Sequence, residues 1–181
     1  MIKDKIKNRD IQNIDDDIIR AKRLIRDRLC TDEDIIELLH NVELEKNEAP
    51  PDEYFGTNIF SFIRVPGTQD VVNNFICFSI DDIEPSDRNE AMKVQYVQFV
   101  IFCNAKDIRT PYGIDRHDLI AYVVRDLFNW SNLLGMQLKL VYNREGVTDT
   151  DFYTRTLKFE ATTPNSLQRG ERANRYEFNS Y

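Results

Sequence analysis

The chain has 181 residues, 41% hydrophobic and 11% aromatic, which is enough for one core and fits a single domain with at most one appendage. Its formal net charge is -7, which argues against tight wrapping of nucleic acid, because phosphate binding needs clustered Lys and Arg. It is compatible with DNA passing close by without sticking. Cys30, Cys77 and Cys103 are odd in number and match no metal spacing, so they read as reduced thiols of a cytosolic chain. Met1-Ile2-Lys3-Asp4-Lys5 lacks the apolar stretch of a secretory signal, and no run approaches a membrane span.

Residues 1–12 are polar and are expected to fray. Ile14, Ile18, Ala21, Ile25 and Leu29 then recur at helical spacing. Asp15, Asp16 and Asp17 precede Arg20, Lys22, Arg23, Arg26 and Arg28, the order a helix dipole favours. Cys30-Thr31 breaks the pattern. Thr31 with Asp34 resembles a capping box, and Ile35, Ile36, Leu38 and Leu39 predict a second short helix. Asn41–Asp52, with Pro50-Pro51, reads as a linker or ordered loop.

Three strands are expected next, with antiparallel neighbours. The first spans Asn58–Val65 and stops at Pro66-Gly67; the second spans Asn74–Ile80. A polar loop, Asp81–Asn89, precedes the third, Val94–Cys103. That third strand is β-branched and aromatic with apolar residues on both faces, the pattern of a central strand covered on both sides. A helix from Leu119 to Trp130 follows. Ile120, Val123 and Leu127, with Leu119, Val124 and Phe128 beside them, form a wide apolar stripe. Gly135 reads as its C-cap glycine. Met136 to Tyr142 and Tyr153 to Phe159 alternate as two strands of a hairpin, joined by a turn region, Asn143–Asp151, around Gly146.

The fold class is therefore α+β: a mainly antiparallel sheet packed against one long amphipathic helix, with an N-terminal helical pair and an extended C-terminal arm. The expected division is residues 1–50 as a helical arm, 51–162 as the core domain, and 163–181 as the extended arm.

Asp115-Arg116-His117-Asp118 is the most suggestive cluster for chemistry. A metal or acid–base site is one reading. Helix capping is the other and is preferred: Asp115 at the cap and Asp118 in the first turn both suit a helix N-terminus. A zinc site needs more ligands, and His40 is the chain's only other histidine. Lys158 and Glu160 alternate with Leu157 and Phe159, so they belong to the outer face of a half-buried strand and not to a nuclease hairpin. No phosphate-loop glycine pattern, nucleophile elbow or redox Cys pair occurs, and no cofactor is expected. Trp130 fits a core better than a base-stacking surface. The Arg20–Arg28 stripe reads as a solvated helix face, with an acidic partner subunit as the second explanation.

The stretch Ile101–Phe128, with the hairpin to Phe159, resembles the tail-terminator and head-tail joining (neck) proteins of long-tailed bacteriophages. The likeness lies in Asn104-Ala105-Lys106 after a strand, then Gly113-Ile114-Asp115-Arg116-His117-Asp118-Leu119-Ile120-Ala121 opening the helix. Leu138-Lys139-Leu140 and Arg155-Thr156-Leu157-Lys158-Phe159 complete it. It implies a virion structural protein and no enzyme: a homo-oligomeric ring, usually a hexamer, at the head-proximal end of the tail tube. The ring ends tube polymerisation and presents its other face to the head connector. Implied partners are further copies of the chain, the tail-tube protein and a connector or adaptor protein, with DNA only in passage and no membrane. The implied location is the tail or neck of the virion, assembled in the host bacterial cytoplasm. Asn41–Asp52, Asp81–Asn89 and Pro164–Tyr181 are the expected docking elements. Tyr54, Phe55, Ile83, Arg169, Arg172, Tyr176 and Phe178 are the candidate interface residues. A head-completion or adaptor ring under the portal is the alternative, and a small metal-dependent nuclease using Asp115, His117 and Asp118 is the third reading.

Overall fold

A computed structural model describes residues 17–64, 67, 72–86, 89–148 and 150–164. Among the described residues there are four α-helices: α1 (Asp17–Cys30), α2 (Glu33–Leu39), α3 (Val42–Lys46) and α4 (Arg116–Phe128). The strands are β1 (Ile59–Phe60), β2 (Phe75–Ser86), β3 (Asn89–Asn104), β4 (Lys139–Val147) and β5 (Phe152–Pro164). They form one sheet in the order β1-β2-β3-β5-β4. The expected class holds: a mostly antiparallel sheet under a long helix, preceded by a helical pair.

β3 lies at the centre of the sheet, and its alternation sorts two cores. Val97, Phe99, Ile101 and Cys103 point to the helices and are fully buried. They join Ile76, Phe78 and Ile80 of β2, Leu157 and Phe159 of β5, and Ile120, Val124 and Phe128 of α4. Ala21, Ile25 and Leu29 of α1 and Ile35 and Leu39 of α2 complete the same cluster. Phe99 is its middle, with ring centroids 4.8 Å from Phe128, 5.7 Å from Phe159 and 6.2 Å from Phe78. Such ring pairs contribute roughly 0.5–1.5 kcal/mol each beyond area burial.

The opposite face of β3 is covered only in part. Val100 and Phe102 join Phe60, Phe75, Cys77 and Phe152 in a small second cluster. Residues 60–64 cap it: the Phe62 ring lies 5.7 Å from Phe60, and Arg64 sits over that ring at 5.4 Å. Further along, Tyr96 and Gln98 on this face are only half-buried. Cover on both sides, expected along the whole strand, is thus confined to its C-terminal half.

Several boundaries differ from the sequence reading. The strand expected over Asn58–Val65 is only two residues long and pairs parallel with β2, not antiparallel. The polar loop expected at Asp81–Asn89 is instead the end of a long ribbon. Asp81 pairs with Tyr96, Asp82 with Gln95 and Ile83 with Val94, with irregularities near Pro85. A ribbon at a sheet end needs no apolar alternation, because backbone pairing alone carries it. Asn41–Asp52 contains α3, capped by the Asn41 side chain, and opens a 3-10 turn at Pro51–Tyr54. The α2 cap is Asp32, whose carboxylate accepts from the Ile35 amide at 3.1 Å. Thr31 instead donates its hydroxyl back to the Asp27 carbonyl at 2.8 Å.

α4 ends at Phe128, before Trp130 and well before Gly135. Trp130 adopts φ +64, its amide donates to the Leu138 carbonyl at 2.7 Å, and its side chain is 57% exposed. It is therefore a surface residue and not part of the core. Gly146 lies inside β4, not in a turn; a Cβ there would come within 2.9 Å of Thr154 Oγ1. The reversal comes after β4, where the Thr148 amide donates to the Phe152 carbonyl at 2.9 Å and Asp151 takes φ +59. Expectations for residues 1–16, including Ile14, Asp15 and Asp16 at the start of the first helix, for Val65-Pro66 and for residues 165–181 lie outside the described residues.

Candidate functional site

One buried polar network joins the ends of the helices to the ends of the strands. Its hub is Asp107, just after β3. The Asp107 carboxylate accepts from the Arg116 guanidinium at 3.1 Å, from Asn74 Nδ2 at 2.8 Å and meets His40 Nδ1 at 3.0 Å. Arg116, 6% exposed in the first turn of α4, also donates to the Asp107 and Leu38 carbonyls at 2.8 and 3.1 Å. Asn74 donates to the Leu39 carbonyl at 3.1 Å and accepts from the Asn104 amide at 3.1 Å. Asn58 donates to the Asn74 carbonyl at 2.8 Å and accepts from Asn41 at 2.7 Å.

The network answers an accounting problem. Buried strand and helix ends carry backbone groups that the ladder and the helix leave unpaired, and each costs about 1–3 kcal/mol if orphaned. Here α2, α3, β1, β2, β3 and α4 meet around five side chains, Asp107, Arg116, Asn74, Asn58 and Asn41. Sequence reasoning missed Asp107, Asn74, Asn58 and Asn41. A signal was present: Asn58, Asn74 and Asn104 each stand at the margin of an apolar run, where a polar side chain meets the core.

The Asp115–Asp118 cluster divides among different tasks. Asp115 occupies the N-cap position of α4, but its side chain makes no capping hydrogen bond. It lies 3.7 Å from the exposed Arg109 guanidinium instead. Asp118 sits in the acidic first turn and accepts from Arg155 Nη1 of β5 at 2.7 Å, so it ties helix to sheet. His117 is 1% exposed, with Nε2 3.4 Å from Glu145 and 3.6 Å from Asp118; neither ring nitrogen makes a hydrogen bond. Among the described residues no group of three or more His, Cys, Asp and Glu is placed to hold a metal ion.

The three cysteines are buried and free. Burial pushes the Cys30 thiol up to about 11 and the Cys103 thiol further still. Both are protonated and unreactive near neutral pH, as a structural thiol should be. Lys158 and Glu160 lie on the sheet face away from the helices, and Lys158 Nζ sits 3.9 Å over the Tyr96 ring.

The candidate interface residues are placed as follows. Tyr54 is 2% exposed and belongs to the chain's own core. Phe55 is 36% exposed, with the Arg26 guanidinium 5.5 Å above its ring. Ile83 pairs with Val94 in the ribbon. Arg169, Arg172, Tyr176 and Phe178 lie outside the described residues. From the basic stripe of α1, Lys22 donates to the Ser61 carbonyl at 2.7 Å, fastening helix to sheet edge.

The family model named YomW matches residues 32–161, most of the chain and all of the sheet but its last strand residues. The chain belongs to the YomW family. No curated protein sequence matches it. Among solved structures, this YomW-family chain is similar to a chain of the virion of a native gene transfer agent particle. That likeness has a TM-score of 0.52 at 15% identity, and covers 79% of this chain and 93% of the other. At that identity it is a likeness of fold. No described helix is long and apolar enough to cross a membrane.

Proposed function

We propose that this chain is a virion structural protein that acts by assembly and makes or breaks no bond. Copies close into a ring, expected to be a hexamer, at the head-proximal end of a tail tube. The ring stops tube polymerisation and offers its far face to a head connector or adaptor protein. The observation that carries this reading is the shared fold with a gene transfer agent virion chain, which this chain matches over 93% of that chain's length.

The described surface suits such a role. β4 is a nine-residue strand at one edge of the sheet, and Val141, Tyr142 and Val147 on it are exposed. At the other edge β1 is short, and Phe62 and Ile63 just after it are 54% and 40% exposed. Open strand edges invite pairing with another chain. Two unlike edges at opposite ends of one rigid body favour head-to-tail contact, which gives a ring when its rotation closes. On this reading residues 51–162 form the rigid unit, while residues 1–50 and 163–181 serve contacts between subunits. Phe55, Ile83, Arg169, Arg172, Tyr176 and Phe178 are the interface candidates, and Tyr54 supports Phe55 from within. The chain's net negative charge leaves DNA free to slide through a lumen. Assembly takes place in the host bacterial cytoplasm and the product resides in the virion neck.

The test is the mass of the full-length chain in solution, alone and with tail-tube protein. A closed oligomer that binds the end of the tube is expected. A monomer that ignores tube protein overturns the reading. Binding to a portal or connector complex with no affinity for the tube moves the ring to the head side and overturns the tail-terminator assignment.

A further inference from the structure

Residues 32–53 carry nine acidic side chains against one lysine. Four of those acids surround a groove of about 520 Å³ between α2, α3 and the 3-10 turn at Pro51. Its lining includes Ile36 and Pro51 with the edge of Cys30, and its carboxylates are Asp32, Glu33, Glu37 and Glu45. Asp32 is committed to capping α2. Glu33, Glu37 and Glu45 are exposed, and among the described residues none of them pairs with a cation. The histidine at the groove, His40, is turned to Asp107. An apolar trough rimmed by like charges repels itself until a cation with an apolar body fills it.

We propose that this groove receives residues 165–181 of a neighbouring copy. This rests on the assembly reading above and names the receiving surface for it. The segment's sequence complements the groove: Arg169, Arg172 and Arg175 recur at every third position, with Leu167, Tyr176, Phe178 and Tyr181 among them. Arginine meets carboxylates in bidentate fashion, and its stem and the aromatic rings suit the apolar lining. The segment starts after Pro164, which pairs with Met92, whereas β5 begins at Phe152 opposite Asn104. The groove lies at the Asn104 end, because α2 is bonded there through Asn74 and Arg116. Thirteen strand residues at ~3.3 Å each put the two about 40 Å apart. The segment therefore leaves its own subunit at the end remote from its own groove. In a head-to-tail series each copy would give one segment to a neighbour and take one, whereas reaching its own groove would require the segment to fold back ~40 Å along its own sheet.

Three full-length chains test this: the natural one, a groove variant (Glu37→Arg with Glu45→Arg) and an arm variant (Arg169→Glu, Arg172→Glu and Arg175→Glu). A peptide of residues 164–181 is titrated onto the arm variant, whose groove is vacant on this account. Binding is expected, weakened about tenfold or more by the groove substitutions and by raised salt. Mixing groove and arm variants matches both junctions between unlike chains and neither between like chains, so the mixture should assemble by alternation, and joining both sets of substitutions in one chain should restore the assembly that each alone impairs. Cross-linking through a photoreactive group at Tyr176, between isotopically distinct copies, should reach the α2–α3 segment of the other copy. Equal peptide binding by groove-substituted chain, cross-links confined within one copy, or capture of residues 1–16 by the groove each overturn the proposal. A chain that binds the peptide but never closes a ring leaves the groove assignment standing and sinks the assembly reading. A ring insensitive to all five substitutions does the reverse.

Discussion

The helices are held to the sheet in two physically different ways. In the middle, Phe99, Phe128, Phe159 and Phe78 interlock with no polar atom among their rings. At the Asn104 end, Asp107, Arg116, Asn74, Asn58 and Asn41 do the same task by hydrogen bonding. The apolar contact supplies most of the free energy but tolerates many neighbours of similar shape. The polar contact supplies little net free energy, since burial costs each group its water. It does fix which chain ends meet, because an unmatched partner is expensive. One region makes the body stable, and the other sets how its corner, with α2 and α3, is presented.

Truncating the centre should be the most damaging change. Phe99→Ala should cost about 3–5 kcal/mol in denaturant unfolding, since three ring contacts and a fully buried side chain go together. Removing the polar hub comes next: Asp107→Ala strands a nearly buried guanidinium and should cost about 2–3 kcal/mol. A double mutant of Asp107 and Arg116 to apolar residues should recover part of that loss. If both polar variants are neutral, the contrast between the two regions is false.

A third test uses pH. Burial raises the Cys30 thiol from its ordinary 9.0 to about 11. A folded-state value above the unfolded one means the stability contribution is full below pH 9 and is lost as pH rises through about 11. Cys103 is raised in the same direction. Unfolding free energy should fall across that window, and less steeply in Cys30→Ala. Smaller still is the Asp118–Arg155 pair, part-exposed on both sides: Asp118→Ala should cost about 0.2–1 kcal/mol. Finally, the single tryptophan, Trp130, should be quenched by iodide in the folded protein with no change in stability; protection equal to that of a buried indole would contradict its placement.

The apolar region was legible in the sequence and the polar one was not. β3 and α4 announce themselves because Phe99, Ile101, Ile120, Val124 and Phe128 repeat at the strand and helix periods. Helix ends are set by cheaper local bonds, so α4 stops short of the Trp130 and Gly135 expected to close it. The ribbon beyond Ile80 was hidden because its pairing is main-chain and Asp81, Asp82, Glu84, Pro85 and Ser86 interrupt any apolar alternation. Asp107 and its partners are invisible to any periodicity: His40 is 67 residues away in sequence and Asn74 is 33. The α3 segment owes its place to that same network, through Asn41, and so read as a linker. As for the site, the resemblance suggested Arg169, Arg172, Tyr176 and Phe178 as contact residues, whereas the groove proposed to receive them emerges only when α2 and α3 are folded together.

Electron microscopy of finished particles, with this chain located in the density, tests the central claim most directly. The account predicts a closed ring of identical copies between head and tail tube. Particles that mature without the chain, or carry it as isolated copies away from that junction, would contradict it.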